Sequence, residues 1–399
     1  MAGSAVVAAA LTDHGARSFS LWIDGLDVLV EPGGTSGRRY GVNLESIRLT
    51  EGGPTTNGTL DFTVRDPDGD VRLVGDETVV FYDHVRGEPL FRGTVDVVSE
   101  AIPTGIDHAW SVRCTDLNAL LDRVLVPPYT LPVASLQEVV LSILAYVPLR
   151  AFGSLSGDAA GVREGGSQAK PVGGAYPSQL TGTLSIGAIS QMTARAALQL
   201  ALGEWSASYG YLLPATFQVF VDQYGGVRLF DSFYAITPSD YRTTTVMVNA
   251  ATVTEPGEVR PSKLEITRDN AQAYTSVYVV GGSAAGTGWV SAEQTGARRE
   301  GVYNQPLSTD ALRLQAYGTA WLTAFGVQTR GSFSLDARPS PFVVHPGDYI
   351  IVNGSVMTLA ASTQGYVQDV STRFDGGGTV RSVAVTFGSV AASLARTLR

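Results

Sequence analysis

Phe19-Ser-Leu-Trp-Ile23, Asp24-Gly25 and Leu26-Asp-Val-Leu-Val30 open the stretch that decides the fold, which runs from Phe19 to Val126. Asp-Gly between two apolar runs is a strong short-range signal for a type I′ hairpin. Leu60, Phe62 and Val64 then alternate with Asp61, Thr63 and Arg65, ahead of a turn at Asp66-Pro67-Asp68-Gly69-Asp70. Val79 to Tyr82 and Leu90 to Val98 supply two more strands, and Trp110, Val112 and Cys114 alternate as a strand with one buried face should. Behind Thr115-Asp116, which suit a helix cap, Leu117, Leu120, Leu121 and Val124 follow at helical spacing. The pattern describes a small antiparallel barrel or sandwich sealed by a helix. Such an architecture hosts many activities and names none of them.

Leu90-Phe-Arg-Gly-Thr-Val-Asp-Val-Val98, followed by Trp110-Ser-Val-Arg-Cys-Thr-Asp-Leu-Asn-Ala-Leu-Leu-Asp-Arg123, resembles the first tube-like domain of bacteriophage tail hub proteins. Further matches lie downstream in the order that family has. Thr193-Ala-Arg-Ala-Ala-Leu-Gln-Leu-Ala201 and Phe220-Val-Asp-Gln-Tyr-Gly-Gly-Val-Arg-Leu-Phe230 are similar to the helix and hairpin of its middle region. Ser276-Val-Tyr-Val-Val-Gly-Gly282 and Pro346-Gly-Asp-Tyr-Ile-Ile-Val352 look like strands of a second tube-like domain. The resemblance rests on the ordered set and covers most of the chain. It implies a mainly β protein with several helices: two tail-tube-like β-barrel or sandwich domains and an α+β middle region. The expected division is an N-terminal arm over 1–16, a first tube-like domain over 17–126, a middle region over 127–255 and a second tube-like domain with a C-terminal arm over 256–399.

Composition sets the outer bounds. At 399 residues the chain exceeds a usual single core, so two or three domains are expected. Hydrophobic residues make up 44% and charged residues 16%, the balance of a folded protein. Val6 to Leu11 is a short apolar run without a basic region before it, unlike a secretory leader. No apolar run approaches the ~18 residues of a membrane span, so synthesis in a host cytoplasm is the expectation. The net charge of −9 is unevenly spread. Between Arg17 and Val126 there are 10 basic and 18 acidic side chains, a net of −8, and the remainder nets −1. An acidic domain is poorly suited to holding DNA, because phosphate binding needs clustered Lys and Arg. It suits either a passage through which DNA slides or a domain kept soluble by its loops.

Beyond Val126-Pro127-Pro128, Ser135-Leu-Gln-Glu138 reads as a capping box opening a helix with Leu136, Val139, Val140, Ile143, Leu144 and Val147 on its apolar face. Residues 153–187 are dominated by Gly, Ser, Ala and Pro and read as a long loop. That loop either covers a neighbouring subunit, obstructs a channel or forms a plain surface insertion. A helix is expected from Thr193 to Ser208, and a hairpin turning at Tyr224-Gly225-Gly226. A further helix, near Ser308 to Phe325, has Leu314, Tyr317, Trp321 and Phe325 as its buried stripe. Val390 to Arg399 forms either a short helix or an extended arm. No internal repeat is visible by identity.

The search for chemistry returns little. His14, His84, His108 and His345 are dispersed and make no metal-ligand spacing. Asp66, Asp68, Asp70 and Glu77 match positions one, three, five and twelve of a calcium loop, but Val71 takes the sixth place, where glycine makes the sharp turn. Pro67 and Gly69 make a β-turn the better reading. Gly281-Gly282 and Gly286-Thr-Gly288 fit no dinucleotide fingerprint, and neither a nucleophile elbow nor a phosphate-binding loop occurs. Cys114, the single cysteine, reads as a buried strand residue. No catalytic, cofactor-binding or metal-binding residues are assigned, and no enzymatic activity is expected.

What the resemblance implies is a structural hub at the distal end of a virion tail. Three copies, each with two tube-like domains, would make a pseudo-sixfold ring that ends the tail tube, anchors the tape measure and the central fibre or spike, and gates DNA. DNA would transit without sequence-specific binding, and no membrane is spanned. A second reading is a carbohydrate-binding adhesin of β-sandwiches, with Tyr209, Tyr211 and Tyr224 as candidate platforms. A cell-wall hydrolase ranks last, since nothing singles out a carboxylate pair among 37 acidic residues.

Overall fold

A computed structural model describes residues 18–30, 41–52, 57–66, 72–85, 88–101, 108–127, 129–130, 134–135, 139, 142–147, 162–164, 183–184, 188–189, 191–208, 217–221, 227–231, 245–249, 258–269, 273–281, 289–293, 299–305, 311–326, 328–336, 344, 346, 348–353, 362–375 and 380–388. Both expected terminal arms, at 1–16 and beyond Val390, lie outside these residues.

The first barrel is built from β1 (Phe19–Ile23), β2 (Gly41–Asn43), β3 (Arg48–Glu51), β4 (Thr59–Asp66), β5 (Thr78–Asp83), β6 (Glu88–Ala101) and β7 (His108–Asp116). The opening hairpin is as the sequence predicts: Asp24 and Gly25 both take positive φ, 47° and 79°, as a type I′ turn requires. Its second strand breaks at Val28. Leu26–Asp27 pairs with β1, whereas Leu29–Val30 pairs in parallel with β2. The Val28 amide donates to the Leu21 carbonyl at 2.8 Å, and the Val42 amide to the Val28 carbonyl at 2.8 Å, so this split segment closes the ring β1-β5-β6-β7-β4-β2. In β4 the alternation of Leu60, Phe62 and Val64 becomes an inward row with at most 2% exposure. The compact helix expected over 117–124 is tighter than its spacing suggests. Leu117–Ala119 is a 3-10 turn, and only Leu120–Arg123, α1, is α-helical, with Leu117 and Leu121 buried.

In the middle region Leu125–Val126, Tyr129–Thr130 and Ala134–Ser135 pair antiparallel with Met192–Thr193, Ala188–Ile189 and Thr183–Leu184, a ribbon of three short ladders. Helical backbone occurs at 139 and 142–144, and Val139, Ile143, Leu144 and Val147 are buried, as the apolar stripe demands. Helix α2 (Ala194–Ser208) then leads to the hairpin β8 (Phe217–Val221) and β9 (Val227–Asp231). The stretch read as a structureless loop is not wholly so: Val162–Glu164 pairs in parallel with β9. Its pairing is non-local, and composition carries no trace of it.

The second barrel uses β10 (Thr245–Asn249) and β11 (Lys263–Asp269). An excursion follows, made of β12 (Ser276–Gly281), β13 (Trp289–Glu293), β14 (Glu300–Gln305) and helix α3 (Ala311–Ala324). The barrel then resumes with β15 (Gln328–Asp336), β16 (Tyr349–Asn353), β17 (Ser362–Phe374) and β18 (Val380–Gly388). The hydrogen-bonded order is β11-β15-β18-β17-β16-β10, with Glu258–Val259 alongside β10 and feeding directly into β11. In the excursion, Leu314, Tyr317 and Trp321 of α3 pack on Val277 and Val279, the stripe the sequence picks out. Gly301 is required there, because a Cβ would lie 2.2 Å from Trp321 Cη2.

The two barrels share one register. Across β6 and β7 the pairs Thr94↔Thr115, Val95↔Cys114, Val97↔Arg113 and Val98↔Val112 are matched across β17 and β18 by Tyr366↔Gly388, Val367↔Phe387, Asp369↔Thr386 and Val370↔Val385. Both long strands carry a bulge at the same station, Asp96 in one and Gln368 in the other. Thr59↔Thr115 and Phe62↔Val112 likewise correspond to Arg330↔Gly388 and Phe333↔Val385. Even the irregular bond repeats: the Val95 amide donates to the Glu77 carbonyl and the Val367 amide to the Asp348 carbonyl. Over β4, β6 and β7 against β15, β17 and β18 the two barrels repeat one ladder register, a likeness that identity does not display. The likeness stops at the flanking strands: β1 pairs antiparallel with β5, whereas β10 pairs in parallel with β16. The continuous β11 runs where the first barrel has β3 and the 3-10 turn at Leu44–Ser46 before it, and the Ser46 hydroxyl accepts the Thr63 amide at 3.3 Å at that turn.

Candidate assembly surface

Each barrel end-strand has to go somewhere, and β17 joins the two barrels. Its first part pairs with β16; beyond the bulge, Val370, Ser371, Thr372 and Arg373 pair antiparallel with Glu51, Thr50, Leu49 and Arg48 of β3. Strand β17 ends in Phe374, which is 2% exposed and belongs to the first barrel's core. Its ring meets Phe19 and Phe81 edge-on, each at 5.2 Å, while those two stack on one another at 5.6 Å. A cavity of ≈ 60 Å³ remains beside this plug, lined by residues of both barrels including Leu49, Leu335 and Val370.

The joint makes one face of both barrels continuous. Reading across the ladders, a row runs Thr78, Thr94, Thr115, Thr59, Thr50, Ser371, Ala384, Ser334, Lys263 over nine strands. These residues are half-buried or exposed, and the adjacent inward row, Val95, Cys114, Leu60 and Leu49, is buried. The row therefore marks an outer surface of short hydroxyl side chains with little apolar area and one lysine. On the neighbouring outward row Arg113 donates to Asp61 at 2.7 Å, so that cation is answered within the sheet.

A second contact ties helix α2 to the first barrel. Arg195 donates through Nε to Asp122 Oδ1 at 2.6 Å and through a terminal nitrogen to Asp122 Oδ2 at 3.0 Å, Asn57 Oδ1 at 3.1 Å and the Asn118 carbonyl at 2.9 Å. Its side chain is 11% exposed, so this forked pair is partly desolvated. Asp116 sits beneath it. Read as a capping residue, it makes no capping bond of standard geometry; its Oδ2 accepts the Gly58 amide at 2.7 Å, and its buried Oδ1 has no partner among the described residues. Burial pushes its carboxyl up to about 7, against the opposing pull of the Gly58 amide, the Arg195 charge and the amides of Asn118 and Ala119.

The residues that the sequence search considered for chemistry are scattered. Asp66 is fully buried at the end of β4, paired in register with His108. Glu77 spends its carboxylate on the amides of Val74 and Gly75, at 2.6 and 2.9 Å, closing its own turn. Asp68, Asp70 and Val71 lie outside the described residues, as do His14, His345, Tyr209, Tyr211, Tyr224 and Gly282 to Gly288. Gly281 is a residue of β12. His84 shares a 2.7 Å hydrogen bond with the Ser20 hydroxyl, and His108 one of 3.0 Å with Glu100. Cys114 is fully buried and burial pushes its thiol up, so it is inert packing. Among the described residues no group of three His, Cys, Asp or Glu side chains could hold a metal ion, and no helix is long and apolar enough to cross a membrane. What the ladders add is the joint between β17 and β3 and the hydroxyl row across it. Sequence reasoning missed both because register between distant strands leaves no local signal.

No family model matches the sequence, and no curated protein matches it. Solved structures do. The tail protein from Neisseria meningitidis MC58 aligns with a TM-score of 0.63 over 95% of this chain and 98% of its own, at 11% identity. The 43 kDa tail protein of prophage MuSo2 from Shewanella oneidensis aligns with a TM-score of 0.60 over 94% and 99%, at 12% identity. At such identities the likeness is one of fold, spans each protein nearly end to end, and agrees with the resemblance read from the ordered motifs: the chain has the architecture of phage tail proteins.

Proposed function

We propose that this chain is a structural hub of a phage tail tip. Three copies form a ring in which the two register-matched barrels of each copy stand as six quasi-equivalent units, matching a threefold tip to a sixfold tube. The observation that carries this reading is the joint between β17 and β3, which fuses two like barrels into one continuous curved sheet. The short hydroxyl row on that sheet, and the net charge of −8 over residues 17–126, suit a channel wall that DNA passes without adhering. The work is mechanical and not catalytic: the ring closes the distal end of the tail tube, holds the end of the tape measure and a central fibre or spike, and opens on host contact. Synthesis takes place in the host cytoplasm, and the site of action is the distal end of the tail.

Light scattering and negative-stain imaging of the purified protein test this. A particle near three times 42.0 kDa with a central hole is expected. A monomer at every concentration, with the chain absent from isolated tail tips by mass spectrometry, overturns it.

A further inference from the structure

Among the described residues, two strand edges have no partner strand. Beyond the bulge at Asp96, residues 97–101 of β6 pair with β7 on one side, and no described strand pairs with them on the other. Strand β11 pairs with β15 only, leaving its far edge open among the described residues. Unpaired, exposed backbone of this kind is a liability that proteins blunt or cover.

These edges are related to the joint already made. Because the barrels share a register, β6 is the counterpart of β17 and β11 the counterpart of β3. Thr94 answers to Tyr366, since both pair at the same station of the following strand. Thr50 answers to Thr267, since each is hydrogen-bonded in register to the matching residue of the next strand, Thr59 or Arg330. Inside the chain the second barrel's bulged strand pairs with the first barrel's β3. The same two edges, with the roles of the barrels exchanged, are the ones left open.

We infer that β6 of one copy pairs antiparallel with β11 of a second copy of this chain, in the register Val98↔Arg268, Ser99↔Thr267 and Glu100↔Ile266. This transfers the observed pairs Val370↔Glu51, Ser371↔Thr50 and Thr372↔Leu49 residue by residue. The occupant is a second copy because the joint inside the chain already pairs these two kinds of edge in that register, and a like chain carries the complementary edge. The contact is heterologous, head to tail, and such contacts close into rings when their rotation permits. The inference rests on the trimeric reading above and assigns its interface.

Cysteine pairs test it, since directly opposed strand residues bring their Cβ atoms to ~5 Å. Ser99→Cys with Thr267→Cys, treated with a mild oxidant or a short bismaleimide, is expected to give covalent two- and three-chain species. Thr50→Cys with Ser371→Cys reproduces the joint inside one chain and is expected to leave only single-chain mass. Native Cys114 is fully buried and stays silent. Mixing the two single variants, S99C and T267C, repeats the test without loading both changes on one chain, and a pair offset by one register step, S99C with E265C, is expected to link markedly more slowly. A native trimer by light scattering whose internal control links while Ser99/Thr267 does not overturns the strand assignment and leaves the ring standing. A monomer at every concentration removes both.

Discussion

Where the first barrel sets Leu60 against Cys114, the second sets Gly331 against Phe387 at the same station of the same two strands. Leu60, Cys114 and Phe387 are each no more than 1% exposed. A Cβ on Gly331 would lie 2.3 Å from Phe387 Cζ, so the glycine exists to admit the ring. The volume across the pair is shared out differently, yet both cores fill. This is the sense in which the barrels are alike: backbone register and the sum of opposed volumes persist while single residues change. Close packing constrains sums more strongly than identities, which is why two barrels can repeat a ladder register and show no likeness in a residue-by-residue comparison.

The sharpest way to separate the barrels is at the plug. Phe374→Ala removes a ring that the second barrel lends to the first barrel's core, and should cost about 3–5 kcal/mol. In a thermal scan the expected result is a lower first transition and a split between the barrels. Retention of a single unchanged melt would show that Phe374 does not couple them. Next in size is an exchange of core solutions. Gly331→Leu alone overpacks Phe387 and should destabilise by roughly 1–3 kcal/mol. Adding Phe387→Cys recreates the first barrel's pair and should return much of that loss in a denaturant titration. A double variant as unstable as the sum of its singles would break the comparison.

The barrels also differ in what leans on them from outside. Arg195 and Asp122 clasp the first barrel to helix α2. Arg195→Ala should cost ~1–3 kcal/mol, because it removes at once the charged donor of Asp122, Asn57 and the Asn118 carbonyl. A double-mutant cycle with Asp122→Asn, measured by urea unfolding, should recover a coupling of about 1 kcal/mol or more.

The smallest effect is one of pH. Asp116 titrates near 7 in the fold and near its ordinary 3.8 when unfolded, so between those values the folded state binds more protons. By linkage, stability at this site is greatest below about pH 4 and declines as pH rises through 7. Asp116→Asn should flatten that slope and raise the melting temperature at pH 8, by about 1–2 kcal/mol equivalent. An unchanged slope between pH 5 and 8 would show that another group governs it.

Much of the first barrel is legible in the sequence because its signals are local. Asp24-Gly25 sets its own positive φ angles, Leu60, Phe62 and Val64 declare an inward face, and Leu314, Tyr317 and Trp321 mark the stripe of α3. Tail-protein architecture is legible in the order of such pieces. The split at Val28, the parallel strand inside the Gly/Ser-rich segment and the insertion of Phe374 into a distant core are not, since each depends on a partner far along the chain. Asp116 stands at the N-cap position, as its place before Leu117 predicts, but that its carboxylate accepts the buried Gly58 amide 58 residues earlier leaves no local signal. The assembly surface was the least legible of all, being made of backbone edges that any sequence of adequate β propensity can supply.

The connection from β3 to β4 spans only residues 52–58, whereas its counterpart from β11 to β15 spans 270–327 and carries β12 to β14 and α3. Placed around a closed circle, such chains present two periodicities at once. The hydrogen-bonded wall repeats with every barrel, but the rim carries a bulky lobe only on alternate ones. A ring of this kind would convert one rotational order into half of it without any joint or adaptor, simply because one connection is seven residues long and its counterpart carries a lobe.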